Sequence, residues 1–183
     1  MVHDIDVGSL RYTTRVNGMS RKILLVDDDP GLLKGFKYQL GKRFEVETVA
    51  GGKEGLEAIT EHGPFAVIVS DMQMPEMDGI QFLNLVRQVA PDSVRMMLTA
   101  AADQKTAMDA VNDGQIFRFL TKPCLPEYLA KSLETGIEQY RLITAERELL
   151  SKTLSGSVSV LTEVLSLVNP TAFGHAASVR RWV

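Results

Sequence analysis

Short apolar runs alternate with segments of helical periodicity along the chain from residue 22. The runs have the length and composition of strands that are buried on both faces. We predict strands at residues 23–26, 44–49, 65–69, 94–98 and 116–120. The segments between them repeat apolar residues every three or four positions, which is typical of helices. We predict helices at residues 30–40, 52–61, 80–90 and 105–112, and a long helix from residue 126.

This alternation predicts an α/β fold with a five-stranded parallel sheet and right-handed crossovers. We expect the flavodoxin-like strand order 2-1-3-4-5, with helices on both faces of the sheet and an extended C-terminal helix after it. Ligands of an open parallel sheet bind at the carboxyl ends of its strands. Polar residues with useful chemistry stand at four of these ends, namely Asp27, Asp28, Asp29, Asp71, Thr99 and Lys122.

The aspartates after the first and third strands predict a cation site. Neighbouring strands would bring Asp27, Asp28 and Asp71 together, and clustered carboxylates repel one another unless a cation lies between them. Mg²⁺ is the expected ion because it prefers oxygen ligands. The alternative is that each aspartate only caps a helix. Capping is the best explanation of Asp29, which precedes Pro30, but it does not explain acids and a lysine at the ends of separate strands.

The same residue types suit phosphoryl transfer, which needs a nucleophile, a divalent ion and a cation for the charge on the phosphoryl oxygens. Asp71 is the candidate nucleophile, since a carboxylate can form an acyl phosphate. Lys122 offers a positive charge and Thr99 offers a hydroxyl donor. Taken alone, Lys122 would be an ordinary solvated lysine, but its position after a buried strand favours a role in the site.

Four segments, ILLVDDDP, SDMQMPEMDG, MLTA and FRFLTKP, resemble the signature segments of bacterial receiver domains of two-component response regulators. The resemblance covers about residues 21–140. It implies a signalling domain that is phosphorylated on Asp71 and has no enzymatic activity beyond its own phosphorylation and dephosphorylation. It also implies that Asp28 and Asp71 ligate Mg²⁺ directly, together with the backbone carbonyl of Gln73, while Asp27 acts through water.

The resemblance further implies a switch. Thr99 would be the hydroxyl that moves toward the phosphoryl group, and Phe119 would be the aromatic side chain whose rotamer follows it. Lys122 would pair with the phosphoryl group, next to a cis peptide bond to Pro123. The implied phosphoryl donor is a sensor histidine kinase or a phosphotransfer protein.

The chain beyond the receiver-like region predicts a helical linker. Tyr140, Ile143, Leu150 and Leu154 lie at spacings of three, seven and four residues, and a similar pattern follows them. This spacing favours a dimeric coiled coil over residues 141–168, and hence a homodimer through the C-terminal helix. The alternative is a helix that packs on its own domain. Gly156 and the serines around it weaken a single continuous helix.

The two ends of the chain carry separate expectations. Residues 169–183 resemble the opening of HD-type phosphohydrolase domains, which include cyclic-di-GMP phosphodiesterases, and His175 stands where that family has a histidine. An acid found four residues earlier in the family is replaced by Thr171, and the His-Asp metal pair is absent. We expect these residues to be the start of a truncated output domain, and residues 1–20 to be a flexible arm.

Composition narrows the function further. The chain has 183 residues, a net charge of −3 and 45% hydrophobic residues, which is typical of a soluble globular protein. No apolar run reaches the length of a membrane span, and no chain-wide basic surface suits nucleic acid. The single cysteine, Cys124, fits a reducing compartment. We expect a cytoplasmic protein that binds neither membrane nor nucleic acid through these residues.

Two other functions remain open beside the relay of a signal to an output domain. A receiver without an output would act as a phosphate sink or a binding module. A Mg²⁺-dependent phosphohydrolase of similar topology would need a second acid two residues after the nucleophile. This chain has Gln73 at that position, and an amide does not transfer protons as an acid does.

Overall fold

The computed structural model of the chain describes residues 20–100 and 116–168, with side chains described up to residue 164. The strands are β1 (Lys22–Val26), β2 (Glu45–Val49), β3 (Val67–Asp71), β4 (Val94–Thr99) and β5 (Arg118–Thr121). The helices are α1 (Pro30–Leu40), α2 (Gly52–His62), α3 (Gly79–Val89) and α4 (Pro126–Val168). The helix predicted at residues 105–112 lies outside the described residues. Among the described residues, no helix has the length and apolar character needed to cross a membrane.

The strands form one parallel sheet in the order β2-β1-β3-β4-β5, which confirms the predicted topology. Side chains of β1 point alternately to the two faces, since Ile23 and Leu25 join one buried cluster and Leu24 and Val26 join another. The first cluster includes side chains of α1 and α4, and the second includes side chains of α2 and α3. The sheet is therefore buried on both faces, which explains why its central strands read as continuous apolar runs.

Three strands begin later than predicted. Phe44 is buried but precedes β2, because its N–H donates to the carbonyl of Leu40 and closes the turn after α1. Phe65 and Ala66 are also buried, yet β3 begins after them and ends at Asp71. β5 likewise begins two residues later than predicted. Apolar side chains report burial, and at these starts burial extends one or two residues before the strand. The backbone of Ala66 already donates to Lys22 and accepts from Val94.

The long helix α4 has two different environments. Leu129, Leu133 and Tyr140 are buried against the sheet, whereas Leu150 and Leu154 are exposed. The first part of α4 is therefore packed on its own domain, and the packing of residues 141–168 against a partner helix stays a prediction.

α4 also runs through Gly156 without interruption, contrary to the expectation that glycine and serine would weaken it. The hydroxyls of Ser157 and Ser159 donate to carbonyls four residues earlier, at 2.9 Å each, and are thus satisfied within the helix.

Candidate functional site

Three carboxylates converge at the carboxyl edge of the sheet. Asp27 and Asp28 follow β1, and Asp71 ends the neighbouring strand β3. One ligand atom from each lies within 4.8 Å of the others. Asp27 and Asp71 are only 2% and 7% exposed, whereas Asp28 is open to solvent. The donor set is all carboxylate oxygen and is reachable from solvent on one side, which fits a hard ion such as Mg²⁺.

Lys122 brings a positive charge to the same edge. It follows β5, and its Nζ lies 2.8 Å from Asp27 Oδ2 and 2.9 Å from Asp71 Oδ1. The peptide bond between Lys122 and Pro123 is cis, as the resemblance implied. One lysine thus contacts two carboxylates that come from different strands, and this connection depends on the parallel topology rather than on sequence proximity.

The pKa values of Asp71 and Lys122 are both raised in the site. Burial raises the pKa of Asp71, and the nearby charge of Asp27 raises it further, although hydrogen bonds from Lys122 and from the Met72 N–H act in the opposite direction. The pKa of Lys122 is also raised: burial lowers it, but hydrogen bonds to Asp27 and Asp71 outweigh that effect. Three carboxylates thus share one lysine, and a bound cation would balance the remaining negative charge.

Asp29 has a different role from its neighbours. Its side chain accepts hydrogen bonds from the N–H groups of Gly31 at 2.7 Å and Leu32 at 3.2 Å, and so caps the N-terminus of α1. The capping hypothesis for Asp29 is confirmed. The Asp29 N–H also donates to Asp27 Oδ1 at 2.9 Å, so the start of α1 helps to orient one carboxylate of the site.

The loop after Asp71 returns close to the strand that it leaves. The Gly79 N–H donates to the carbonyl of Met72 at 2.9 Å, and a Cβ on Gly79 would lie only 2.0 Å from the carbonyl oxygen of Asp71. Only glycine allows α3 to begin so near the site. Gln73 lies exposed in this loop and lines an open cleft with Met72 and other loop residues.

The two predicted switch residues lie on neighbouring strands. Thr99 ends β4 and is fully buried, and Phe119 belongs to β5 and packs, partly buried, against the cluster on the α2 and α3 side of the sheet. The Thr99 Oγ1 lies 3.3 Å from the sulfur of Met72 and 3.1 Å from the carbonyl of Ala100. Sequence reasoning missed the contact with Met72, since nothing in the spacing of these residues signals it.

Comparisons with known proteins agree with this geometry. The sequence model of the family described as "Response regulator receiver domain" matches residues 23–134, which is more than half of the chain. The transcriptional regulatory protein GlrR of Escherichia coli (strain K12) is 36% identical over 126 residues. The match covers 68% of this chain and 28% of that protein, so the chain spans less than a third of this relative's length.

Solved structures give the same result. A chain described as adenylate cyclase from Rhodopirellula baltica is 47% identical, with a TM-score of 0.71, covering 73% of this chain and 98% of that one. The signal receiver domain of an HD domain-containing protein from Pseudomonas fluorescens Pf-5 is 26% identical, with a TM-score of 0.62, covering 67% and 98%. These similarities favour a response regulator over the phosphohydrolase and phosphate-sink alternatives. His175 and Thr171 lie outside the described residues.

Proposed function

The chain belongs to the family of response regulator receiver domains, and we propose on this premise that Asp71 accepts a phosphoryl group from a sensor histidine kinase or a phosphotransfer protein. One observation carries the proposal: the Lys122 Nζ lies within 2.9 Å of both Asp27 and Asp71 at an edge that also holds Asp28. A nucleophile, an acidic cation site and a fixed positive charge are the parts that phosphoryl transfer needs.

Each residue of the site has a defined task in this transfer. A carboxylate oxygen of Asp71 forms the new bond to phosphorus, and the phosphorus–nitrogen bond to the donor histidine breaks. Lys122 forms an ion pair with a phosphoryl oxygen. Asp28, Asp71 and the backbone carbonyl of Gln73 would hold Mg²⁺ directly, with Asp27 acting through water. The ion would neutralise charge on the phosphoryl oxygens.

Intact mass spectrometry tests the phosphoacceptor. The protein is incubated with Mg²⁺ and phosphoramidate, and wild type should gain one adduct of about 80 Da that is labile at alkaline pH. Asp71→Asn should gain none. Asp29→Asn is the matched control, because Asp29 caps α1 at the same edge, and it should still be phosphorylated. An adduct on Asp71→Asn, or none on wild type, would contradict the proposal.

Thr99 and Phe119 would carry the signal away from Asp71. Phosphorylation adds charge and acceptor oxygens, toward which the Thr99 hydroxyl would move, and the ring of Phe119 would follow into the space that Thr99 leaves. Phe119 packs on the cluster that also holds Met97, whose strand β4 ends at Thr99. The proposed route therefore runs through two paired strands, β4 and β5.

The distal part of α4 is proposed to form a homodimer with a second copy of this chain. Leu150, Leu154, Leu161 and Val164 are all at least half exposed, and they lie four, seven and three residues apart. Such spacing keeps one apolar stripe facing a partner helix. Between Lys152 and Glu163 the sequence has no charged residue, so two copies of the stripe do not repel each other.

Sedimentation velocity over a range of protein concentrations tests the dimer. The double variant Leu154→Glu/Leu161→Glu should sediment as a monomer at concentrations where wild type dimerises, because it places like charges in the stripe. Ser155→Glu/Ser159→Glu adds the same charge on another face of α4 and should remain dimeric. Equal loss of the dimer in both double variants would indicate a general charge effect instead of a stripe.

Residues 169–183 are proposed to lead from α4 into an output domain. The proposal rests on their resemblance to the opening of HD-type phosphohydrolase domains. The Pseudomonas fluorescens relative is described as the receiver domain of an HD domain-containing protein, while the Rhodopirellula baltica relative is described as an adenylate cyclase. Assaying the full-length protein for cyclic-di-GMP hydrolysis and for cyclic AMP synthesis would separate these two outputs.

A further inference from the structure

The Thr99 hydroxyl has hydrogen-bond partners other than the proposed phosphoacceptor Asp71. A hydroxyl has a single proton to donate, and two acceptors lie within its reach. These are the sulfur of Met72 at 3.3 Å and the carbonyl oxygen of Ala100 at 3.1 Å. Thr99 is fully buried, so water does not compete freely for this proton. The side chain that is expected to meet a phosphoryl group on Asp71 therefore starts from a different set of contacts.

The main chain holds Met72 firmly in place. Its N–H lies 2.8 Å from Asp71 Oδ1 and 2.9 Å from the carbonyl of Leu98, and its own carbonyl accepts from the Gly79 N–H. Its side chain packs on the same cluster as Phe119. The backbone of Met72 is thus fixed by β3, β4 and the start of α3, and its sulfur lies beside Thr99.

We propose that Met72 is a positioning residue that holds the Thr99 hydroxyl in its unphosphorylated orientation. This inference rests on the proposed role of Asp71. A thioether is a weak acceptor, so phosphoryl oxygens outcompete it, but the contact still stabilises the resting arrangement. A ligand shifts only an equilibrium between existing states. Part of the binding free energy of the phosphoryl group is therefore needed to break the contact between Met72 and Thr99, and this part lowers the observed affinity.

Binding of beryllofluoride with Mg²⁺, measured by isothermal titration calorimetry, tests the role of Met72. Beryllofluoride mimics the phosphoryl group on a carboxylate. Met72→Leu keeps the size of the side chain and removes the acceptor. It should bind beryllofluoride about twofold more tightly, the lower end of the range that one net hydrogen bond gives, because a thioether is a weak acceptor and the Ala100 carbonyl competes for the same proton. The control is Met74→Leu, at a buried methionine of the same loop, which should leave the affinity unchanged.

A double-mutant cycle separates positioning from packing. Thr99→Val keeps the shape of the side chain and removes the hydroxyl, so Met72→Leu should have no effect on affinity in that background. If Met72→Leu tightens binding equally in both backgrounds, or not at all in wild type, the inference is wrong. Wild type that binds no beryllofluoride would instead overturn the proposed phosphoacceptor function, and this inference with it.

Discussion

The two parts of α4 carry similar spacings of apolar residues and meet opposite surroundings. Leu133 packs against the sheet and is fully buried, whereas Leu154, three heptads along the same helix, is 65% exposed. The change occurs near Arg147, whose guanidinium lies 2.5 Å from Asp92 of the loop before β4. The first part of the stripe stabilises the receiver domain, and the second part is available to stabilise an assembly.

The largest expected effect comes from shortening leucines on the two sides of this boundary. Leu133→Ala should lower the free energy of unfolding by about 3 kcal/mol, because it leaves a cavity beneath the sheet. Leu154→Ala should change the free energy of unfolding by less than about 0.5 kcal/mol in dilute solution, because the side chain is mostly exposed and buries little surface on folding. Urea denaturation followed by circular dichroism measures both.

In an association assay the same two variants should rank in the opposite order, with the larger effect at Leu154. In sedimentation velocity, Leu154→Ala should weaken the proposed dimer, whereas Leu133→Ala should leave the association of the folded protein nearly unchanged. A large loss of domain stability in Leu154→Ala would mean that the distal stripe is covered by the chain's own domain.

A smaller effect should come from adding a side chain at two glycines of α4. A Cβ on Gly136 would lie 2.5 Å from Met96 Cε and 3.0 Å from a methyl group of Val67, whereas no atom lies within 4 Å of a Cβ on Gly156. Gly136→Val should therefore destabilise the domain by about 2 kcal/mol through overpacking. Gly156→Val should be neutral or slightly stabilising, since valine favours helix more than glycine does. Differential scanning calorimetry would reveal the contrast, and equal effects would contradict the close packing of α4 on the sheet.

The smallest effect on stability should come from the carboxylates at the edge of the sheet. Unlike the exposed leucines of α4, this edge holds uncompensated negative charge. The raised pKa of Asp71 means that the folded protein binds this proton more tightly than the unfolded chain does. The stability of metal-free wild type should therefore fall as pH rises from the usual aspartate range through the raised pKa. Asp71→Asn lacks this pH-dependent loss of stability and should therefore be more stable than wild type at neutral pH.

Urea denaturation in EDTA over a pH series checks the expected behaviour of Asp71. Glu146→Gln removes one exposed carboxylate from α4 and serves as the charge control, with no comparable gain in stability. If wild type and Asp71→Asn keep a constant difference in stability across the pH series, the effect does not arise from the ionisation of Asp71.

The fold was predictable because its central strands lie between two layers of helices. Burial on both faces makes strands such as β1 continuously apolar, and parallel pairing then sends their polar C-terminal residues to one edge. The strand starts were less predictable, since Phe44, Phe65 and Ala66 are buried without belonging to a strand. Apolar character reports burial, and burial extends one or two residues beyond the start of these strands.

The sequence by itself determined which residues could act, because Asp28, Asp71 and Lys122 have chemistry that few other residue types supply. Only the tertiary structure decided their partners. It placed one lysine between two carboxylates and the sulfur of Met72 against Thr99. It also decided where α4 leaves the sheet, because similar spacing of apolar residues is compatible with burial against the sheet and with exposure to solvent. The physical reason is that side-chain chemistry and periodicity are local properties, whereas contacts depend on how distant segments pack.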